Sequence, residues 1–181
     1  MKLHLGCGKR DFGKDWIHID RGDFPHVSSN SITKLPFDDC TCDLIYASHV
    51  VEYFDREEAV VLLTEWSRVL IPGGIVRLAV PDFRKMVELY FDLSYPLETF
   101  LGPLYGKMNP PNCDTIYHKT VYDLRSIKSL LKSVGFENVL EYNWKKTEHG
   151  HIDDHSQAYI PHMDKKDGTL ISLNVEATKV K

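Results

Sequence analysis

The chain opens with Leu3-His4-Leu5-Gly6-Cys7-Gly8, a short strand running straight into a G-x-G turn. A second strand, Trp16 to Asp20 (WIHID), follows with only Lys9 to Ile19 between Gly8 and Asp20. A parallel crossover needs a dozen or more residues and usually spends them on a helix. This first connection therefore has room for a turn and no full helix. Downstream, apolar runs keep alternating with helical patterns, which is how an α/β domain with a mostly parallel sheet reads. A weak third strand is expected near His26 to Asn30, then Asp43 to Ser48, Ile75 to Pro81, Phe136 to Asn143 and Leu170 to Lys179. The expected architecture is a doubly wound sheet of about seven strands with the last one antiparallel.

Helices are marked by their caps. Asp55 and Glu58 form a capping-box pattern, and Ala59, Leu62, Leu63, Trp66, Val69 and Leu70 follow as an apolar stripe, with Pro72-Gly73-Gly74 as the stop. Asp82 can cap a helix with Phe83, Met86, Val87 and Tyr90 facing inward. Asp123 can cap another with Leu124, Ile127, Leu130, Leu131 and Val134 inward and Gly135 at its end. Two long stretches, about 92–122 and 144–168, carry no such marks and are rich in aromatics, Pro and His. Ligands of parallel sheets bind beyond the carboxyl ends of the strands. Both stretches are expected to cross that edge and to roof one site as ordered lids. Residues 1–181 read as one domain, either alone or as part of a longer protein.

Composition narrows the function. Apolar residues are 43% and charged residues 27% of 181, an ordinary globular balance. A net charge of -4 without a Lys/Arg block argues against a dedicated nucleic-acid binder. There is no apolar run long enough to span a membrane and no signal-peptide pattern at the start. Cys7, Cys40, Cys42 and Cys113 include no C-x-x-C pair. A cytoplasmic protein with reduced thiols is expected. Oligomeric state is not readable.

A lone G-x-G is weak evidence, but here it has company. Asp20 ends the second strand, where a carboxylate can accept both hydroxyls of an adenosine ribose. KLPF, DLIYASHVVEYF, RVLIPGG and IVRLAVPD then follow in order. This set resembles the class I S-adenosylmethionine-dependent methyltransferases of the broad type 11 group, densely over Lys2 to Asp82 and again at LLKSVGFENV. The whole chain, through YHKTVYD and DDHSQAYIPHMD, is similar to a small subgroup found beside, or fused to, glycosyltransferases that build glycans.

The resemblance implies that S-adenosylmethionine is the cofactor. Gly6, Cys7 and Gly8 would face its methionine part, Asp20 its ribose, Ser31 and Ile32 its adenine, and Ser48 and His49 the sulfonium. The sequence departs from the pattern in three places. His4 stands where an acidic residue is usual, Arg10 where a third glycine is usual, and Ser31 where the adenine-binding acid is usual. Arg10 is a candidate to grip the cofactor carboxylate bidentately. A nicotinamide dinucleotide would need a helix N-terminus under its pyrophosphate, and the short first connection leaves no room for one.

A sugar or alcohol hydroxyl is a poor nucleophile unless a base takes its proton as it attacks. The catalytic candidates are His118, Asp153 and His155, with His49 nearby; Asp82 is read as a helix cap. The run EHGHIDDH holds His149, His151, Asp153, Asp154 and His155. It matches no tight metal-ligand spacing, so a divalent metal is possible but the less favoured reading. The expected function is an O-methyltransferase acting on a hydroxyl of a sugar in a glycan, with a glycosyltransferase as a possible partner. The alternatives are a methyltransferase for a small metabolite or a protein side chain, and a non-catalytic adenosine-binding module.

Overall fold

A computed structural model describes residues 1–110 and 114–180, so Cys113 and part of the 92–122 stretch lie outside the described residues. The strands are β1 (Lys2–Leu5), β2 (Trp16–Ile19), β3 (Val27–Ser29), β4 (Cys42–Ser48), β5 (Leu70–Pro81), β6 (Phe136–Glu141), the short β7 (Tyr159–Ile160) and β8 (Thr169–Leu170), and β9 (Ser172–Lys179). The main sheet has the order β3-β2-β1-β4-β5-β9-β6, while β7 and β8 pair separately. Strands β1 to β5 are parallel to one another, and β9 runs antiparallel to both β5 and β6. This is the expected doubly wound order with the last strand reversed, and the β1–β2 connection contains no helix.

The helices are α1 (Arg56–Val69), α2 (Phe83–Asp92), α3 (Glu98–Tyr105) and α4 (Leu124–Ser133). Asp55 caps α1 in a full capping box with Glu58, Asp82 accepts from the backbone of Arg84 and Lys85, and Asp123 caps α4. Helix α1 ends at Val69, ahead of Pro72-Gly73-Gly74. Those residues lie inside β5, where the register with β4 shifts and Gly73 takes φ +81°. Helix α3, inside the 92–122 stretch, was not expected from the pattern. In α2 the inward face is Met86 and Leu89, while Phe83, Val87 and Tyr90 are exposed. The reason is that α2 packs against α3 and the β7–β8 hairpin, sharing a cluster with Phe100, Ile160 and Ile171.

Neighbouring residues of a strand face opposite sides of the sheet, and the register divides the two sides cleanly. Ile17, Leu3, Ile45, Val76 and Ala177 lie in one row across five strands. On that side α1 and α4 close the main core through Leu62, Leu63, Trp66, Ile127 and Leu131. The other row is His18, His4, Tyr46, Arg77 and Glu176. Irregular chain covers this side. Phe12 stacks on His4 at 3.9 Å and on His149 at 4.5 Å, and the Tyr46 hydroxyl donates to Asp154. Arg77 pairs with Glu176, and Asn174 Nδ2 donates to the Ser156 carbonyl. The first part of the 144–168 stretch therefore lies along a sheet face, and its tip, Asp153 to His155, reaches the strand ends.

Candidate functional site

The carboxyl ends of β1, β2, β4 and β5 share one edge, and the candidate site is built there from loop backbone and the residues after β4. Gly6 and Gly8 take φ +67° and +55°, a region open to glycine at no steric cost. Their surroundings differ. A Cβ on Gly6 would overlap the Val50 side chain, so Gly6 is required by the protein's own packing. Beside Gly8 the space is open except for Arg10 Nη1 at 3.7 Å. Asp20 ties this loop to β2, accepting from Gly8 N at 2.8 Å and Gly22 N at 2.7 Å, one on each oxygen. Each carboxylate oxygen has capacity for a further donor. Cys7 points inward toward His26, and burial pushes its thiol up to about 12, so it offers the site backbone only.

Ser48 ends β4, and beyond it the side chains of His49, Glu52, His118 and His155 converge. Ser48 Oγ is buried with no hydrogen-bond partner, an orphan hydroxyl of the kind a ligand satisfies. His49 takes φ +54°, and its backbone N–H is anchored to the Ala79 carbonyl at 2.8 Å. That anchor turns the ring inward, with Nε2 at 3.2 Å from Ser172 Oγ and Nδ1 at 3.5 Å from Glu52 Oε1. His118 reaches the same carboxyl at 3.9 Å through Nε2. It is seated by Nδ1 on the Pro103 carbonyl at 2.9 Å, by the Tyr53 ring at 4.6 Å and by the bare Cα of Gly106. His155 stands in line, its ring centroid 5.1 Å from that of His49. Desolvation lowers the pKa of all three histidines, most strongly at His49, while His155 keeps an exposed edge; all three are neutral imidazoles in neutral solution.

Glu52 is the functional candidate that sequence reasoning missed. It is fully buried, neither carboxyl oxygen has a hydrogen-bond partner, and burial pushes its pKa up to about 8. The available signal was its place three residues after His49 in HVVEYF, which sets both on one side of a helical turn.

The other predicted residues are placed as follows. Arg10 Nε donates to the Asp153 carbonyl at 3.0 Å, tying the loop after β1 to the tip of the 144–168 stretch. The Asp153 carboxylate pairs with Lys165 at 2.7 Å on the surface, so Asp153 meets the site through its backbone. Ser31 Oγ accepts from Lys34 N and closes a turn after β3. Ile32 packs on the core, and its carbonyl accepts from Trp66 Nε1. Within EHGHIDDH, His149 and Asp154 lie buried on the sheet face while His151 is exposed. Among the described residues no group of three or more His, Cys, Asp or Glu side chains is arranged to hold a metal ion.

Residues 9–78 match a family model described as a methyltransferase domain. No curated protein matches the chain. Among solved structures, a S-adenosylmethionine-dependent methyltransferase of Methanosarcina mazei aligns over 99% of this chain and 92% of its own, at 17% identity and a TM-score of 0.59. A S-adenosylmethionine-dependent methyltransferase of Archaeoglobus fulgidus aligns over 98% and 85%, at 16% identity and 0.57. A Haloferax volcanii methyltransferase solved with the Trm112 methyltransferase activator aligns over 99% and 82%, at 15% and 0.57. At these identities the structures establish the fold, and the family match extends over residues 9–78 of the 181. The fold is the Rossmann-like one of these S-adenosylmethionine-dependent methyltransferases, which the chain resembles in architecture.

Proposed function

We propose that this chain is a cytoplasmic O-methyltransferase that transfers the methyl group of S-adenosylmethionine to a hydroxyl, that of a sugar in a glycan. The observation that carries the hydroxyl is the histidine cluster after β4. A hydroxyl needs a proton acceptor as it attacks, and His49, His118 and His155 are held neutral at the strand ends. The sugar, and a glycosyltransferase as partner, are supported by the resemblance of the sequence motifs alone.

The residues present fit S-adenosylmethionine. Open space beside Gly8, spare acceptor capacity on Asp20, the orphan Ser48 hydroxyl and the Arg10 guanidinium line one edge. Gly8 and Asp20 would hold the ribose and methionine backbone, and Arg10 the carboxylate. Ser31 and Ile32 would border the adenine, and Ser48 and His49 the methyl group. When bound, the cofactor supplies a methyl group on a sulfonium sulfur, which departs as a neutral thioether once the acceptor oxygen holds the methyl carbon. The chain's part is to align that oxygen, exclude water and accept its proton on an imidazole nitrogen.

The test is calorimetric titration with S-adenosylmethionine and S-adenosylhomocysteine, then a screen of glycans for methyl transfer by mass spectrometry. Micromolar binding, about -8 kcal/mol, with a mass gain on a sugar hydroxyl is the expected result. Binding with methylation only of amines or protein side chains would replace the acceptor. Folded protein that binds neither compound would overturn the reading.

A further inference from the structure

The hydrogen bonds around Glu52 fix more than its position. Asn174 Nδ2 donates to the Ser156 carbonyl, which leaves its Oδ1 to accept the Ser172 hydroxyl proton at 3.1 Å. With that proton spent, Ser172 Oγ accepts from His49, so His49 carries its hydrogen on Nε2. The Pro103 carbonyl can only accept, so His118 carries its hydrogen on Nδ1. Two neutral rings thus aim bare nitrogens, His49 Nδ1 and His118 Nε2, at the same oxygen, Glu52 Oε1. An ionised carboxylate there would face two lone pairs inside the protein with no donor to answer it, a costly arrangement.

We infer that a single proton rests on the Glu52 carboxyl and is shared between the facing bare nitrogens of His49 and His118, making Glu52 a positioning residue for the two rings and leaving His155 as the imidazole that takes the acceptor's proton. Among the described residues the His155 ring has no hydrogen-bond partner, and it stands against the fixed His49 ring. Burial of Glu52 agrees with a carboxyl that stays neutral in neutral solution. The other titratable groups facing it are Tyr53, on its own turn, and Tyr122, from the segment before α4; burial raises both phenols, so they stay neutral as well. His155, His118 and Arg10 also disfavour a charged His49 ring. The base role of His155 rests on the proposed hydroxyl methylation; the shared proton does not.

The experiment is nitrogen-detected histidine NMR and infrared spectroscopy on the full chain, wild type and Glu52→Gln. At pH 7 the expected result is neutral His49 as the Nε2–H form, neutral His118 as the Nδ1–H form, and a carboxylic-acid carbonyl band missing from E52Q. That band should fade around pH 8, and both tautomers should persist in E52Q, whose amide still offers a donor. A band absent at pH 7, either ring in the other tautomer, or a divalent ion bound one per chain in wild type and lost in E52Q would overturn the shared proton. With an acceptor in hand, His155→Ala is expected to lower kcat at least 100-fold while leaving S-adenosylhomocysteine affinity within about threefold. If the spectra come out as expected and no hydroxyl is ever methylated, the proposed function fails and the shared proton stands.

Discussion

The two faces of the sheet solve the same problem with opposite materials. On one, Leu3, Ile45 and Val76 meet helices α1 and α4 in an apolar core with almost no polar atoms. On the other, His4, His18, Tyr46 and Arg77 meet Phe12, His149, Asp154 and Ser156, delivered by chain without α-helices. Burial is nearly equal, since His4 is 1% exposed and Tyr46 0%, as deep as most of the helical side. The lesson is that losing a crossover helix does not leave a sheet face bare. An aromatic and imidazole plug takes its place, and the plug's tip is what carries His155 to the site. The helical face draws its stability from apolar area, the plug from stacking and specific hydrogen bonds, and the two should break differently.

The largest expected difference is in truncation. Trp66 is fully buried among α1, the sheet and the β3–β4 connection. Trp66→Ala should cost about 3–5 kcal/mol, enough to leave much of the chain unfolded. Phe12, half-buried between His4 and His149, should cost about 1–2 kcal/mol on truncation, because irregular chain can settle into the gap. Urea unfolding followed by circular dichroism compares them. Equal losses would show that the plug is a second core.

Tyr46→Phe comes next. The phenol donates to a buried Asp154, whose other oxygen is taken by the Ser156 backbone and hydroxyl. Removing a donor from such a group should cost about 1.5–3 kcal/mol. The loss should be local, read as faster hydrogen exchange over 149–157 with β1, β4 and β5 still protected. Uniform exchange across the sheet would mean that the plug and the helical core unfold as one unit.

Acid separates the faces without mutation. Burial lowers the pKa of His4, His18 and His149, the last to about 4, from an unfolded value near 6.5. Below 6.5 the unfolded chain binds protons the folded plug refuses, so stability falls with pH down to about pH 4. Glu52 has the opposite slope. Its pKa is raised to about 8 from 4.5, so it costs stability progressively as pH rises between those values. Glu52→Gln should therefore raise the melting temperature most at pH 8 and hardly at all near pH 4.5, while His149→Phe should help only on the acid side. Melting curves over pH 4–9 for the three proteins decide it, and parallel curves would break the assignment.

The same contrast explains what was legible. The helical face could be read residue by residue, since Ala59, Leu62, Leu63 and Trp66 recur at helical spacing behind a capping box and α4 repeats the pattern. The missing first helix followed from the spacing between Gly8 and Asp20, and the reversed last strand from the resemblance to a doubly wound sheet. The plug could not be read. His4, Tyr46 and Arg77 are the polar members of alternating strands, a pattern that ordinarily signals solvent. What covers them comes from Phe12 and from residues more than a hundred positions away, with no period to betray them. At the site, His118 was named from topology, His49 from the resemblance and His155 from the run EHGHIDDH. Glu52 was hidden because a glutamate on a helical turn reads as surface, and only coordinates show its carboxyl buried without a partner.

The smallest expected effect concerns the plug's rim. Lys2 pairs with Glu148 at 2.8 Å, and its ammonium lies 5.5 Å from the Trp16 ring, joining the start of β1 to the segment that brings in His149. Both charges remain substantially solvated, and exposed pairs of this kind contribute about 0–1 kcal/mol. Lys2→Ala should therefore shift the urea midpoint by an amount equivalent to about 0.5 kcal/mol or less, and half a molar of added salt should remove most of that shift. The outcome bears on how the plug is held. A loss above 1 kcal/mol that survives salt would mean that the rim clamps the segment in place. The Tyr46–Asp154 bond and the Phe12 stack would then follow from that clamp rather than cause it.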